Sequence, residues 1–156
     1  MFTAFTKYVA KNFRKPVGFG GWVSTWIMNT MNQKLYLGIL KRLDLVGGEQ
    51  LLEIGFGNGY LLRKVLRLRE DISLIGIDIS KDMVRRIKPR ARLAVQEGSL
   101  SECSFPDAFF DWIYTVNTFY FWKDYERDFA EISRILKPGG YFLNVVYTKE
   151  YLENND

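Results

Sequence analysis

The order of apolar and polar residues predicts a strand, a turn and a helix between residues 51 and 66. Residues 51–54 form a short apolar run with one acid, which is typical of a buried strand. Glycine then occupies every second position from Gly55 to Gly59, and apolar side chains return at helical spacing over residues 60–66. Strand, glycine turn and helix together make the first βα unit expected of a nucleotide-binding sheet.

The remainder of the chain continues this alternation. Apolar runs predict further strands over 72–77, 92–96, 112–116 and 141–147. Helices are predicted from 60 to 70, from 81 to 88 and from 124 to 136. Ser80 is the expected N-cap of the second of these, and the run Lys137–Gly140 predicts a turn after the third. Strands that alternate with helices indicate the α/β class with a parallel sheet.

Three helices are predicted ahead of the glycine turn, and they form an expected helical cap over residues 1–45. The first, over 2–13, is basic and amphipathic, and it can pack on the domain or lie on a membrane surface. We favour packing because the segment is short. The others are predicted over 22–31 and 33–43, the latter with Leu37, Leu40 and Leu43 inward, and Phe19 and Trp22 are candidates for a pocket edge.

Composition narrows the chemistry. The chain of 156 residues suits one domain, and no apolar run reaches the roughly 18 residues that span a bilayer. Histidine is absent, which excludes Ser-His-Asp catalysis and argues against zinc, so no metal site is expected. The single cysteine, Cys103, suits a reducing cytoplasm. A net charge of +4 is too mild to indicate nucleic acid.

Two acids sharpen the glycine signal. Glu53 stands two residues before Gly55, and Asp78 ends the second predicted strand. An acid at the end of the second strand can accept hydrogen bonds from both ribose hydroxyls of a nucleotide. The spacing G-x-G-x-G differs from the G-x-G-x-x-G of dinucleotide sites, which argues against an NAD(P)-dependent oxidoreductase.

At this point the sequence resembles the class I S-adenosylmethionine (SAM) methyltransferases, and especially the group that includes ubiquinone and menaquinone C-methyltransferases. The resemblance rests on five ordered elements: Glu53-x-Gly55-x-Gly57-x-Gly59, Asp78, Gly98-Ser99, Phe110-Asp111 and Lys137-Pro138-Gly139-Gly140. It implies a Rossmann-like sheet in the order 3-2-1-4-5, with helices on both faces and SAM as the cofactor. The last two strands of that family would be missing.

The resemblance also implies the residues that contact the cofactor. Ser99 replaces the acid that commonly accepts the adenine amino group in the family, and a hydroxyl can still accept that hydrogen bond. The full expected set is Glu53, Gly55, Phe56, Gly57, Gly59, Asp78, Ile79, Gly98, Ser99, Leu100, Thr115 and Val116.

Catalytic candidates follow the fourth strand. Asn117 and Tyr120 are expected to orient the acceptor, with Asp124 as a further polar group and Trp122 as a wall. The alternative for Tyr120 is a ring packed inward against Phe129 and Ile132.

The sequence thus predicts a single domain with a cap over 1–45, a core over 46–148 and a tail over 149–156. Its expected activity is methyl transfer to a small-molecule acceptor, and the alternative is a SAM-binding module without catalysis. A bare edge on the fifth strand favours a homo-oligomer or another cover.

Overall fold

The computed structural model describes residues 32–147. The helices predicted over 2–13 and 22–31, Phe19, Trp22 and the tail over 149–156 lie outside the described residues. The predicted division into cap, core and tail therefore stays a prediction.

A five-stranded parallel sheet forms the centre of the fold. Its strands are β1 (Gln50–Ile54), β2 (Ser73–Asp78), β3 (Leu93–Glu97), β4 (Phe110–Val116) and β5 (Leu136–Val145). They lie in the order β3-β2-β1-β4-β5, which confirms the predicted order. The first strand lies in the middle of the sheet. Its residues 51–54 are therefore buried, as expected of a parallel strand covered by helices on both faces.

The helices connect these strands. In the described part of the chain, α1 covers residues 32–42, α2 is Tyr60–Val65, α3 is Lys81–Arg86 and α4 is Tyr125–Ile135, and a short 3₁₀ helix covers Phe119–Phe121. Asp124 caps α4, because its carboxylate accepts the N–H of Arg127 at 3.0 Å. None of the helices in the described residues is long and apolar enough to cross a membrane.

Two apolar clusters cover the two faces of the sheet. One contains Ile39 of α1 and Leu43 just after it, together with Leu61, Leu62 and Val65 of α2. The other contains Ile132 and Ile135 of α4, which pack with Ile54, Ile77 and Leu100 among others. The helices therefore lie on both faces, as expected.

Several predicted boundaries change. The prediction that Leu37 points inward is wrong, because its side chain is exposed and Ile39 is fully buried in its place. Helix α2 ends at Val65 rather than 70, and α3 ends at Arg86 rather than 88. After Val65 a turn replaces the predicted end of α2, and the N–H of Leu68 donates to the carbonyl oxygen of Val65 at 2.9 Å.

The predicted turn at Lys137–Gly140 lies inside β5. Leu136 pairs with Phe110 and Tyr141 pairs with Trp112, so four residues of β5 face Asp111 alone. This is a β-bulge. Gly140 is required there, because a Cβ would lie 2.9 Å from the carbonyl oxygen of Asp111.

The bulge gives the two motif residues Asp111 and Lys137 a structural role. The Lys137 ammonium lies 2.8 Å from Asp111 Oδ2. The same oxygen accepts the N–H of Gln50 at 2.9 Å. One carboxylate thus joins the amino ends of β1, β4 and β5, at the edge of the sheet opposite the site described next.

Candidate cofactor and acceptor site

A cavity of about 610 Å³ opens at the carboxyl ends of the strands. This is the edge where open α/β sheets bind their ligands, and the volume lies in the range of small-molecule sites. Its lining includes ten of the twelve expected cofactor residues: Glu53, Gly55, Phe56, Gly57, Asp78, Ile79, Gly98, Ser99, Leu100 and Val116. Gly59 and Thr115 do not line it.

The geometry of the glycine turn between β1 and α2 explains why Gly59, unlike Gly55 and Gly57, does not line the cavity. All three glycines have positive φ, near 73° at Gly55, 54° at Gly57 and 71° at Gly59. A Cβ on Gly57 would meet no atom within 4 Å, so the backbone there is bare at the cavity wall. A Cβ on Gly59 would lie 2.5 Å from Ile87 Cδ1, so this glycine serves packing.

Asp78 is held beside the turn by two backbone donors. Its Oδ2 accepts the N–H of Gly57 at 2.7 Å, and its Oδ1 accepts the N–H of Ser80 at 2.8 Å. The residue is 8% exposed. Burial raises the pKa of this carboxyl, while the two backbone hydrogen bonds lower it. Each carboxylate oxygen can accept a second hydrogen bond, so Asp78 retains capacity for two ligand hydroxyls.

Glu53 lies deeper in the same cavity. It is almost fully buried, and Tyr114 donates its O–H to Glu53 Oε2 at 3.1 Å. Burial raises the pKa of Glu53 to about 8. Tyr36 of α1 also lines the cavity, and burial raises its pKa to about 12, so its hydroxyl stays protonated at neutral pH.

Ser99 and Glu102 form a linked pair on the β3 side. The Ser99 hydroxyl donates to Glu102 Oε2 at 2.7 Å, and the N–H of Ser99 bonds to the same oxygen at 2.7 Å. Because the hydroxyl proton is used, the lone pairs of Ser99 remain as acceptors. These hydrogen bonds lower the pKa of Glu102, so it is ionised at neutral pH.

Sequence reasoning missed Glu102, which also lines the cavity. A signal was present, because Ser99-x-x-Glu102 has the spacing of a capping box. An acid three residues farther along the chain therefore lies beside Ser99 at the cavity.

Thr115 is fully buried between strands. Its hydroxyl donates to the carbonyl oxygen of Ile54 at 2.9 Å and also bonds to the Thr118 hydroxyl. Thr118, which sequence reasoning did not single out, lines the cavity in its place. The Thr118 methyl group also requires Gly55, because a Cβ there would overlap with it.

Asn117 lines the cavity with its backbone in the left-handed region, at φ 54°. Its Nδ2 donates to Asn32 Oδ1 at 2.7 Å, and its Oδ1 accepts the N–H of Tyr147 at 3.2 Å. The side chain therefore ties α1 to the segment after β5 at the rim of the cavity.

Tyr120 lies outside the cavity lining. Its side chain is 48% exposed, and its hydroxyl donates to the carbonyl oxygen of Tyr147 at 2.7 Å. The alternative, a ring packed inward against Phe129 and Ile132, is wrong, because the side chain is half exposed. Phe121 and Trp122 provide the aromatic wall instead.

The mouth beside this wall is charged. Lys123, Asp124, Arg127 and Asp128 line it. Asp128 is 7% exposed, and burial raises its pKa. Sequence reasoning missed Asp128 because an acid in the first turn of a helix is common there and is usually solvated.

These features fit the cofactor that the resemblance implies. Asp78 would accept from the ribose hydroxyls, and Ile79, Ser99 and Leu100 would contact the adenine. The bare backbone at Gly57, with Gly55 and Glu53 beside it, would hold the amino-acid portion. A Cβ at position 57 would extend into this space.

Comparisons with known proteins agree with this assignment. A family model described as a methyltransferase domain matches residues 52–144. The uncharacterized methyltransferase YdaC of Bacillus subtilis is 35% identical over 122 residues, which are 76% of this chain and 67% of the relative. The fatty-acid O-methyltransferase of Mycolicibacterium smegmatis is 29% identical over 119 residues, 74% of this chain and 43% of that enzyme.

Among solved structures, one chain of the complex between the Haloferax volcanii Trm112 methyltransferase activator and a methyltransferase has a TM-score of 0.76. The match is 24% identical and covers 99% of this chain and 66% of that chain, so it shows the fold. The present chain thus spans about two thirds of YdaC and under half of the fatty-acid enzyme. Because the family model covers more than half of its residues, the chain belongs to the methyltransferase-domain family, the class I SAM-dependent methyltransferases.

Proposed function

We propose that this chain transfers a methyl group from SAM to a small, largely apolar acceptor. The observation that carries the proposal is the cavity in which Asp78, fixed by the N–H groups of Gly57 and Ser80, faces the bare glycine backbone. When bound, SAM supplies a methyl group on a sulfonium that is already a good leaving group. The chain's own residues then need mainly to position the two reactants.

The acceptor class is proposed from the wall beyond the expected cofactor residues. Tyr36, Phe121 and Trp122 line that region, and aromatic rings favour an apolar acceptor. The named relative that acts on a fatty acid supports the same choice. Asn117 is proposed to position the acceptor by holding the rim, since both ends of its amide already bond to protein groups.

Tyr120 is proposed to act in a different way from Asn117. Its hydroxyl fixes the carbonyl of Tyr147, so we assign it to the shape of the rim rather than to contact with the acceptor. A cytoplasmic location is also proposed, on the basis of the single, buried Cys103 thiol.

A homodimer through β5 is proposed as well. Within residues 32–147, β5 pairs with β4 on one side and with no strand on the other, and Tyr141 is 58% exposed. Unpaired strand edges recruit further strands. Light scattering on the purified chain tests this proposal. A strictly monomeric mass at a protein concentration of roughly 100 micromolar, where even a weak interface would be populated, would contradict it.

The cofactor assignment is tested by calorimetry with S-adenosylhomocysteine on three proteins: wild type, Asp78→Asn and Asp71→Asn. The Asp78 change puts an NH₂ group against a backbone N–H and removes a charged acceptor, so the affinity should fall about 10- to 100-fold. Asp71 is an exposed acid paired with Arg69 away from the cavity, so its variant should bind like wild type. Equal affinities for all three proteins would refute the ribose assignment.

Turnover is tested separately, with radiolabelled SAM and a panel of fatty acids, phenols and isoprenoid alcohols. Label transfer to any of them supports catalysis. Tight binding of S-adenosylhomocysteine without transfer to any of them would favour the alternative, a SAM-binding module.

A further inference from the structure

A second cavity lies behind the glycine turn. Its volume is about 500 Å³, and it is bounded by α2, by the end of α3 and by the turn into β3. Gly59 lines this cavity, whereas Gly57 and Asn58 line the first one. The two cavities are therefore on opposite sides of one turn, and none of the expected cofactor residues except Gly59 reaches the second.

Among the described residues, every charged side chain that lines the second cavity is cationic. They are Arg63, Arg67, Arg86, Lys88, Arg90 and Arg92. Over the whole chain 22 cations are nearly balanced by 18 acids, so this concentration of one sign is local. We call this site the basic cavity.

Within residues 32–147, no carboxylate forms an ion pair with a side chain of this group. The four ion pairs of the described residues involve Arg69, Arg134 and Lys137, and none of these lines the basic cavity. In residues 32–147, the side chains of Arg67, Arg86, Lys88 and Arg90 make no hydrogen bond or ion pair. Their donors are therefore available to a ligand.

Two of the guanidinium groups are held in place by backbone carbonyls. Arg63 donates to the carbonyl oxygen of Asn58 at 3.0 Å, and Arg92 donates to that of Arg69 at 3.0 Å. The turn that carries Arg90 is closed by two hydrogen bonds between Arg90 and Leu93, at 2.9 and 3.0 Å. Part of the cationic rim is thus already ordered, which lowers the entropy cost of binding.

The base of the basic cavity is apolar. Leu62, Ile87 and Leu93 line it and are each less than 9% exposed, and Leu66 is beside them. An apolar base beneath guanidinium groups is complementary to a molecule with an apolar body and an anionic head. Arginine binds phosphate and carboxylate with two parallel hydrogen bonds. The volume is that of a small-molecule site.

We propose that the basic cavity binds a small amphiphilic anion, with a phosphate or carboxylate head on its cationic rim and an apolar body on its base. The site is independent of the proposed methyl transfer, because it lies on the other side of the glycine turn.

The first test compares two ligands on the wild-type full chain by calorimetry. Decyl phosphate should bind at least about tenfold more tightly than inorganic phosphate, since the burial of a few methylene groups supplies that factor. Equal affinity for the two ligands would overturn the proposal, because the apolar base would then contribute nothing.

The second test locates the site with a matched pair of double variants. Arg86→Gln/Arg90→Gln should weaken decyl phosphate binding at least about tenfold. Lys34→Gln/Lys41→Gln removes the same charge from exposed positions on α1, outside both cavities, and should change it by less than about twofold. Equal loss in both double variants, or none in either, would overturn the assignment. Tm values measured for both proteins establish that they fold.

Two further probes exclude other partners. A single-stranded oligonucleotide that binds more tightly per phosphate than decyl phosphate would overturn the proposal in favour of a nucleic-acid surface. The second probe is a vesicle with roughly 30% phosphatidylglycerol, an anionic lipid content that attracts basic surfaces. If such vesicles bind the chain and free decyl phosphate does not, the proposal is overturned in favour of a membrane surface. Neither readout depends on the binding of S-adenosylhomocysteine, so a failure here leaves the proposed function intact.

Discussion

Tyr114 and Glu53 are directly opposite one another on the paired strands β4 and β1, and the phenol donates its O–H to Glu53 Oε2 across 3.1 Å. Both side chains are buried. Burial raises the pKa of Glu53 from its ordinary 4.5 to about 8, although the hydrogen bond from Tyr114 opposes the rise. A carboxyl group at the wall of the cavity therefore keeps its proton at neutral pH.

The first prediction concerns the pH dependence of stability. The folded state holds the Glu53 proton up to about pH 8, whereas the unfolded state loses it near pH 4.5. The unfolded state thus binds fewer protons in this window, and the free energy of unfolding falls as the pH rises, by up to about 1.4 kcal/mol per pH unit.

Glu53→Gln removes this titration. The Tm of wild type should fall relative to that of Glu53→Gln between pH 5 and pH 8, roughly the window in which the group titrates. Glu70→Gln, a change at an exposed acid, should follow wild type. Parallel curves for wild type and Glu53→Gln would show that Glu53 titrates normally. Scanning calorimetry in matched buffers provides the measurement.

The second prediction separates two glycines of the same turn. In Gly57→Ala the new Cβ contacts no protein atom, but alanine must adopt a positive φ, which should cost about 1–2 kcal/mol of stability. Because that Cβ would extend into the cavity, the variant should also bind S-adenosylhomocysteine more weakly. Ala at Gly59 bears the same φ cost and also overlaps with Ile87, so it should lower the Tm further. Thermal unfolding and calorimetry on both variants measure this. A Gly57→Ala protein that binds like wild type would argue against a ligand at this backbone.

The third prediction concerns Glu102. If the Ser99–Glu102 pair accepts from the adenine amino group, wild type should prefer S-adenosylhomocysteine to S-inosylhomocysteine, in which a carbonyl oxygen replaces that amino group. Glu102→Gln should reduce this preference, because a neutral amide repels the carbonyl less than a carboxylate does. Glu97→Gln, a second exposed acid of the same lining, serves as the control. An unchanged preference in Glu102→Gln would remove Glu102 from the adenine site.

The fourth prediction concerns Tyr120→Phe. Loss of the hydrogen bond to the Tyr147 carbonyl should cost at most about 1 kcal/mol of stability, because the group is half exposed. The affinity for S-adenosylhomocysteine should be unchanged. With any acceptor found in the panel, kcat should stay within about twofold of wild type. A strong drop in kcat at unchanged Tm would instead support direct contact between Tyr120 and the acceptor.

The sheet could be predicted because its information is local. Strand periodicity and the turn glycines are encoded within a few residues, as at β1 and Gly55–Gly59, and the strand order follows from the family resemblance. Boundaries were harder to predict. The continuation of α2 to 70 failed because the last apolar residue, Leu68, is 43% exposed and gives that turn little to pack against.

The positions of the expected cofactor residues could be predicted from the sequence where backbone geometry fixes them. Asp78 and Gly57 come together because one side chain bonds directly to the other's N–H. Tyr120 could not be placed from sequence, because the side that a residue faces beyond the end of β4 depends on the left-handed turn at Asn117. Asp128 depends on which face of α4 is turned to the cavity, and sequence periodicity shows only that the helix has an apolar face.

The contacts of the Asp111 carboxylate with the Lys137 ammonium and the Gln50 N–H have a consequence for how the sequence can change during evolution. These contacts join the amino ends of β1, β4 and β5 at the edge of the sheet opposite the cavity. Substitutions at Phe121 and Trp122, which line the cavity, leave those contacts unchanged. The aromatic wall of the cavity can therefore change by single substitutions while the contacts that join the three strands are kept.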